Sequence, residues 1–200
     1  TETARNLAVV EEGIVVNTSD GEIHLLDQTG DQLWTAQSSS SQWVNDTHDG
    51  MVYCRSSEGV TAISAATGSA EWTVGRSSVR DVAVSQETLI VRTSDSLLGL
   101  DLDNGSQTWK YSLPGQKPTD AVRLGDAIAC VGTPNVSLEK QIRPYDEQRL
   151  HVFDPVTEDS ILTFDLGIGE CHGLTVNDDT LICGMDENLI CLEDFPHTTD

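Results

Sequence analysis

Two markers recur along the 200-residue chain at nearly one interval. A turn glycine stands four residues before a tryptophan in Gln28-Thr-Gly-Asp-Gln-Leu-Trp34, Ala66-Thr-Gly-Ser-Ala-Glu-Trp72 and Asp103-Asn-Gly-Ser-Gln-Thr-Trp109, and successive tryptophans are 38 and 37 residues apart. A second series of turns, at Gly13, Gly50 and Glu87, advances by 37 residues each time. Two independent markers in one register mean a repeat architecture. Within each period, short β-branched and apolar runs alternate with Gly, Asp, Asn and Ser, the pattern of four brief strands joined by tight turns. The first unit reads as strands at Leu7–Val10, Gly13–Asn17, Glu22–Leu26 and Gln32–Thr35, and no window supports a helix of ordinary length. A four-stranded unit of this size cannot bury both of its faces alone, so the units stack radially around an axis. The expectation is an all-β fold, a small β-propeller of about five four-stranded blades. These span approximately residues 7–36, 43–75, 81–113, 120–167 and 173–194 of a single domain.

The regularity breaks toward the C-terminus. In the fourth unit the third strand waits until Leu150–Phe153, and Phe164 takes the tryptophan position well over one period after Trp109, which makes Gly132–Arg149 an insertion. The fifth unit shows three strands and no G-x-x-x-W segment. A closed ring would take the missing strand from the N-terminal segment, near Thr1–Asn6; an open array or a fragment is the alternative.

The Gly-to-Trp turn and strand resemble the repeats of pyrroloquinoline-quinone-type propellers, a family that includes quinoprotein dehydrogenases and the propeller lipoprotein of bacterial outer-membrane assembly. The resemblance covers nearly the whole chain at the level of the repeat. It implies that Trp34, Trp72 and Trp109 dock one blade against the next. The dehydrogenases of that family hold their quinone against a disulfide of adjacent cysteines, and none of Cys54, Cys130, Cys171, Cys183 and Cys191 is adjacent to another. No cofactor is expected.

Charge narrows the habitat more than the activity. The chain has 33 acidic against 11 basic residues, a formal net charge of −22, and its lysines are Lys110, Lys117 and Lys140 alone. The carboxylates are spread along the length and not gathered in a tail. Such self-repulsion costs stability in dilute buffer, whereas molar salt shortens the Debye length to about 3 Å. Few lysines and many carboxylates resemble the proteins of salt-accumulating halophilic archaea. Without a basic stripe, nucleic-acid binding is disfavoured. No apolar run approaches the ~20 residues that cross a bilayer as a helix, and no basic segment followed by an apolar stretch opens the chain. A cytoplasmic location with reduced thiols is expected, and the sequons at Asn17, Asn45, Asn104 and Asn135 read as chance in a chain rich in Ser and Thr.

Function is sought where propellers bind, at the entrances of the innermost strands. Aligning the units on their first turns puts Arg5, Trp43, Arg80, Thr119 and His172 at one position, followed by Asn6, Val44, Asp81, Asp120 and Gly173. From this set Arg5, Trp43, Arg80, Asp81, Asp120 and His172 are the candidate binding residues. The insertion falls on the same face and brings Lys140, Arg143, Tyr145 and Arg149, a concentration of basic charge that fits contact with a partner protein. Catalytic patterns are weak: there is no G-x-S-x-G elbow, no Walker loop and no H-x-x-x-H pair. A calcium loop at Asp101–Gly105 has its glycine one position early, and zinc on Cys171, His172, Cys183 and Cys191 requires them to converge. The leading expectation is a non-catalytic interaction scaffold with a protein partner. A small-molecule or sugar-binding module, or an enzyme with its site in the funnel, is the alternative.

Overall fold

The computed structural model describes residues 3–36, 43–134, 148–167, 170–177, 180–186 and 188–192, and these contain strands and turns without a helix. Five antiparallel sheets follow one another along the chain. The first joins β1 (Ala4–Val10), β2 (Gly13–Thr18), β3 (Ile23–Leu26) and β4 (Gln32–Ala36) in sequence order. The second repeats this with β5 (Trp43–His48), β6 (Met51–Arg55), β7 (Gly59–Ser64) and β8 (Ala70–Gly75). The third holds β9 (Asp81–Ser85), β10 (Thr88–Arg92), β11 (Ser96–Asp101) and β12 (Gln107–Ser112). The fourth holds β13 (Gln116–Leu124), β14 (Ala127–Pro134), β15 (Gln148–Phe153) and β16 (Ser160–Gly167), and the fifth β17 (Cys171–Asn177), β18 (Thr180–Met185) and β19 (Leu189–Leu192). The chain divides into two compact units, residues 1–91 with 100–107 and residues 92–99 with 108–200.

Strand composition explains burial. In the second blade the second and third strands are covered on both faces and read as apolar runs: Val52, Tyr53 and Cys54 of β6 and Val60, Ala62 and Ile63 of β7 are all at most 3% exposed. Outer strands such as β8 alternate between solvent and neighbour, the period-2 pattern of a half-buried edge.

In the first unit the repeat motif closes a relay. Trp34 donates its indole N–H to the Ala65 carbonyl of the next blade at 2.7 Å, and Trp72 donates to the Leu102 carbonyl at 2.9 Å. Each indole lies on the turn glycine of the following motif. A methyl group on Gly68 would stand 2.7 Å from the Trp34 ring, and one on Gly105 would stand 2.7 Å from that of Trp72. Their φ angles of +73° and +72° favour glycine in any case. The glycine of G-x-x-x-W therefore receives the tryptophan of the preceding copy. The docking role expected of Trp34 and Trp72 is present in atomic detail.

The second unit handles Trp109 differently. The turn position equivalent to Gly68 and Gly105 is Glu158, with φ +60° and the same hydrogen bond from its N–H back to a residue four earlier, Asp154. Its carboxylate accepts from the Lys110 N–H at 2.9 Å. With no glycine to lie on, Trp109 packs edge-on to Phe153 at 5.5 Å between centroids, over Gly99, where an added methyl group would stand 2.1 Å from the indole nitrogen. It is 5% exposed, and its N–H has no acceptor among the described residues.

Two expectations are corrected here. Gly132–Pro134 belong to β14 and Gln148–Arg149 to β15, so both ends of the expected insertion are strand; β13 begins early, at Gln116, and pairs with the lengthened β14 as far as Pro134. Extending one hairpin arm gives backbone groups on the other a partner. Ala4–Asn6 do not add a strand to the fifth sheet: they open β1 and pair with Asn17 and Thr18 of β2. That pairing with β2 makes them part of the first blade.

Candidate functional site

Four of the innermost strands, β1, β5, β13 and β17, carry an irregularity near their entrances. The β1/β2 register jumps between Ala4 and Asn6, β13/β14 between Pro118 and Asp120, and β17/β18 between Cys171 and Gly173. The extra residues are Arg5, Thr119 and His172, the same aligned position in three blades. In the second blade the jump lies two residues further in, at Asn45. A bulge leaves one residue out of the ladder and re-aims its side chain.

In the first unit, this edge gathers cations on an aromatic ring. The guanidinium of Arg5 lies 5.3 Å from the centroid of the Trp43 ring, and that of Arg55 also lies 5.3 Å from it. Arg55 arrives there because Trp43 and Arg55 are directly paired across β5 and β6. Neither arginine has a carboxylate partner among the described residues, and the Nε–H of Arg55 is buried with no acceptor there. The stretch between β4 and β5, residues 37–42, contains only Gln and Ser and so supplies no carboxylate from its sequence.

The polar residues beside this cluster hold neighbouring blades together. Asn6 donates to the Val44 carbonyl at 2.5 Å, Asn45 donates to the Asp81 carboxylate at 2.8 Å, and Asp46 accepts the Val84 N–H at 2.7 Å. Asp81, expected as a ligand contact, thus accepts from Asn45 and from the Val82 N–H. Arg80 is exposed, just ahead of β9.

In the second unit, Asp120 performs the same service as Asp46, accepting the Leu174 N–H at 2.7 Å across 54 residues of sequence. His172 is exposed and its Nε2 lies 2.6 Å from Asp186. The Glu170 N–H and then His172 hold the Asp186 carboxyl below its usual value. Arg149 pairs with Asp165 at 2.8 Å across β15 and β16, so its charge is spent within the chain. Lys140, Arg143 and Tyr145 lie outside the described residues.

Beside Arg149, His151 is half buried and its Nε2 lies 2.8 Å from the Gln116 side-chain oxygen. Burial and then the Arg149 charge push its pKa below the ordinary value. The unfolded chain therefore takes up the proton first as pH falls through about 6.5, and the native state loses stability there. His151→Gln should flatten the dependence of unfolding free energy on pH between about 7.5 and about 5.5, relative to wild type. Parallel slopes in denaturant titrations of the two proteins would remove His151 from that account.

At the opposite end of the first unit's sheets, a cavity of about 420 Å³ is lined by His48, Asp49, Met51, Tyr53, Glu87 and Asp101–Asp103. Sequence reasoning missed it because its walls come from turns of successive blades. Burial and then the nearby carboxylates Asp103 and Asp49 push the Tyr53 hydroxyl up to about 12. No group of three or more His, Cys, Asp or Glu side chains is arranged to hold a metal among the described residues. Of the sulfur and imidazole set considered for zinc, only Cys171 and Cys183 meet; His172 turns to Asp186 and Cys191 is exposed.

The profile of the family described as outer membrane protein assembly factor BamB matches residues 1–193. The chain belongs to the BamB family of PQQ-type repeat proteins. BamB from Moraxella catarrhalis superposes with a TM-score of 0.66 at 19% identity, covering 96% of this chain and 64% of that one. The computationally designed Ika8 protein gives 0.60 at 15% identity, covering 96% and 71% respectively. At these identities the likeness is one of fold, the β-propeller, and this chain spans less than two thirds of the Moraxella BamB chain. None of the curated proteins matches the sequence.

Proposed function

We propose that this BamB-family chain is a non-catalytic interaction scaffold whose working edge is the entrance of the inner strands, and that it takes a carboxylate-bearing segment of a protein partner between Arg5, Trp43 and Arg55. One observation carries the reading: in a chain with three carboxylates for every basic residue, two guanidiniums flank one indole and neither has an acidic partner among the described residues. Planar guanidiniums bind carboxylates through paired hydrogen bonds, and stacking on an indole pre-orients them for it. The family's description as an assembly factor supports action on other proteins. The composition supports a salt-rich cytoplasm of a halophile as the setting. There, long-range repulsion between two acidic proteins is screened while contact ion pairs persist, so recognition is by fit at short range.

A photo-crosslinking amino acid in place of Ser77, in the turn before β9, provides the test, since it leaves the cluster intact. In native high-salt lysate the expected product is a protein-sized adduct whose yield falls at least about tenfold, the equivalent of ~1.4 kcal/mol, in the Arg5→Ala, Arg55→Ala double variant. An adduct formed equally by both, or none, sinks the proposal. Stabilisation of the wild type alone by a sugar or metabolite in a thermal-shift screen would move the assignment to a small-molecule site.

A further inference from the structure

Cys171 and Cys183 come from adjacent strands of the fifth sheet and lie in one apolar cluster, 8% and 1% exposed. Their sulfur atoms are 2.8 Å apart. The strand register puts Cys171 opposite Met185 and Cys183 opposite Leu174, so a regular ladder would leave the two cysteines on a diagonal. The bulge at His172 alters that spacing between the two pairs. Cys183 occupies an ordinary core position, matched in other blades by Cys54, Cys130 and Val16; Cys171, at the strand entrance, is the additional thiol.

We propose that Cys171 and Cys183 form a reversible disulfide, making the fifth blade a site of two-electron oxidation by a low-molecular-weight disulfide. A disulfide needs its sulfurs at about 2.05 Å, so closing this pair takes a movement smaller than one bond length and no change of strand pairing. The two thiols share one S–H···S contact, which holds the Cys171 thiol below its usual value and pushes the Cys183 thiol up, favouring Cys171 as the thiolate. Cys171 is also the more exposed of the two, so it is the attacking group. Its thiolate attacks one sulfur of the small disulfide, forming a mixed disulfide and releasing one thiolate. Cys183 then gives up its proton and attacks the Cys171 sulfur, releasing the second. Two protein thiols are oxidised and one small disulfide is reduced to two thiols.

The bond has a structural consequence at the strand entrance. The Cys171 N–H donates to the buried Gln148 side chain at 2.7 Å, and Gln148 opens β15 directly after residues 135–147. Oxidation therefore adds a covalent tie to β18 at the entrance of β17, beside Gln148 at the start of β15.

The test uses the whole chain, incubated natively with cystine, then denatured, alkylated with N-ethylmaleimide and digested without reductant. The expected result is a linked peptide pair containing Cys171 and Cys183, lighter by two hydrogen atoms than the separate peptides, with the buried Cys54 and Cys130 alkylated and the exposed Cys191 alkylated or carrying a single cysteine. The melting temperature should rise by on the order of 5–10 °C on oxidation and return with dithiothreitol. Cys171→Ser should fold and lose both the link and the shift. Recovery of Cys171 and Cys183 as alkylated thiols, or of Cys171 only as a mixed disulfide with cysteine, overturns the proposal.

Discussion

Trp109→Ala is expected to lower the unfolding free energy by about 3–5 kcal/mol, more than the same change at Trp34 or Trp72. The indole is 5% exposed, makes an edge-on contact with Phe153, and fills the space that Gly99 leaves open. Tyr111 stacks on the other partner, Phe153, at 3.9 Å, so the cavity would open under a second aromatic contact as well. Edge-on aromatic pairs contribute about 0.5–1.5 kcal/mol beyond the area they bury. Trp109→Phe separates packing from hydrogen bonding. The N–H it removes has no acceptor among the described residues. The phenylalanine variant should therefore lie within about 1.5 kcal/mol of wild type. Guanidinium unfolding at constant high salt gives both numbers. A phenylalanine variant as damaged as the alanine one would show that the indole nitrogen is bonded after all.

Gly59→Ala should cost about 2–5 kcal/mol, from backbone strain and overpacking together. Gly59 begins β7 with φ +151°, and an added methyl group would sit 2.0 Å from the Val74 carbonyl oxygen and 2.9 Å from the Arg76 nitrogen. Both are main-chain atoms, so no side chain can swing aside. The hairpin that Gly59 closes also carries Arg55 on its other arm, opposite Trp43. The folded fraction of the variant should therefore crosslink its partner more weakly than wild type, besides melting earlier. Wild-type stability with wild-type crosslinking would contradict the geometry of this turn.

The strands were legible because their evidence is local. The glycine and tryptophan markers set the period, and the apolar runs between them matched strands to within a few residues through β12. The exchange by which Gly68 receives Trp34 was not legible, because a motif read within one repeat does not display what it receives from its neighbour. Trp109 shows the reverse: its sequence context is that of Trp34 and Trp72, and its different packing follows from Glu158, almost fifty residues on.

The candidate site divides on the same line. Arg5 and Trp43 were found by aligning strand entrances, and the structure puts them together. Arg55 was missed because it stands at the end of a second strand and reaches Trp43 only through cross-strand register; Arg92, 37 residues later at the same point of its own blade, was the available signal. Asp81 and Asp120, both in the expected set, each accept a hydrogen bond from a neighbouring inner strand, which a carboxylate at the edge of a crowded sheet can do without announcing it in composition.

The bulged position gives the repeat a separation of duties. Arg5, Thr119 and His172 occupy corresponding points in their blades yet share no chemistry, since a residue outside the ladder owes nothing to its strand partner. Any side chain can be exchanged there while the docking tryptophans, turn glycines and inter-blade carboxylates stay as they are. A lineage could thus rewrite what each blade presents by single substitutions, one blade at a time, and keep an inherited chassis intact.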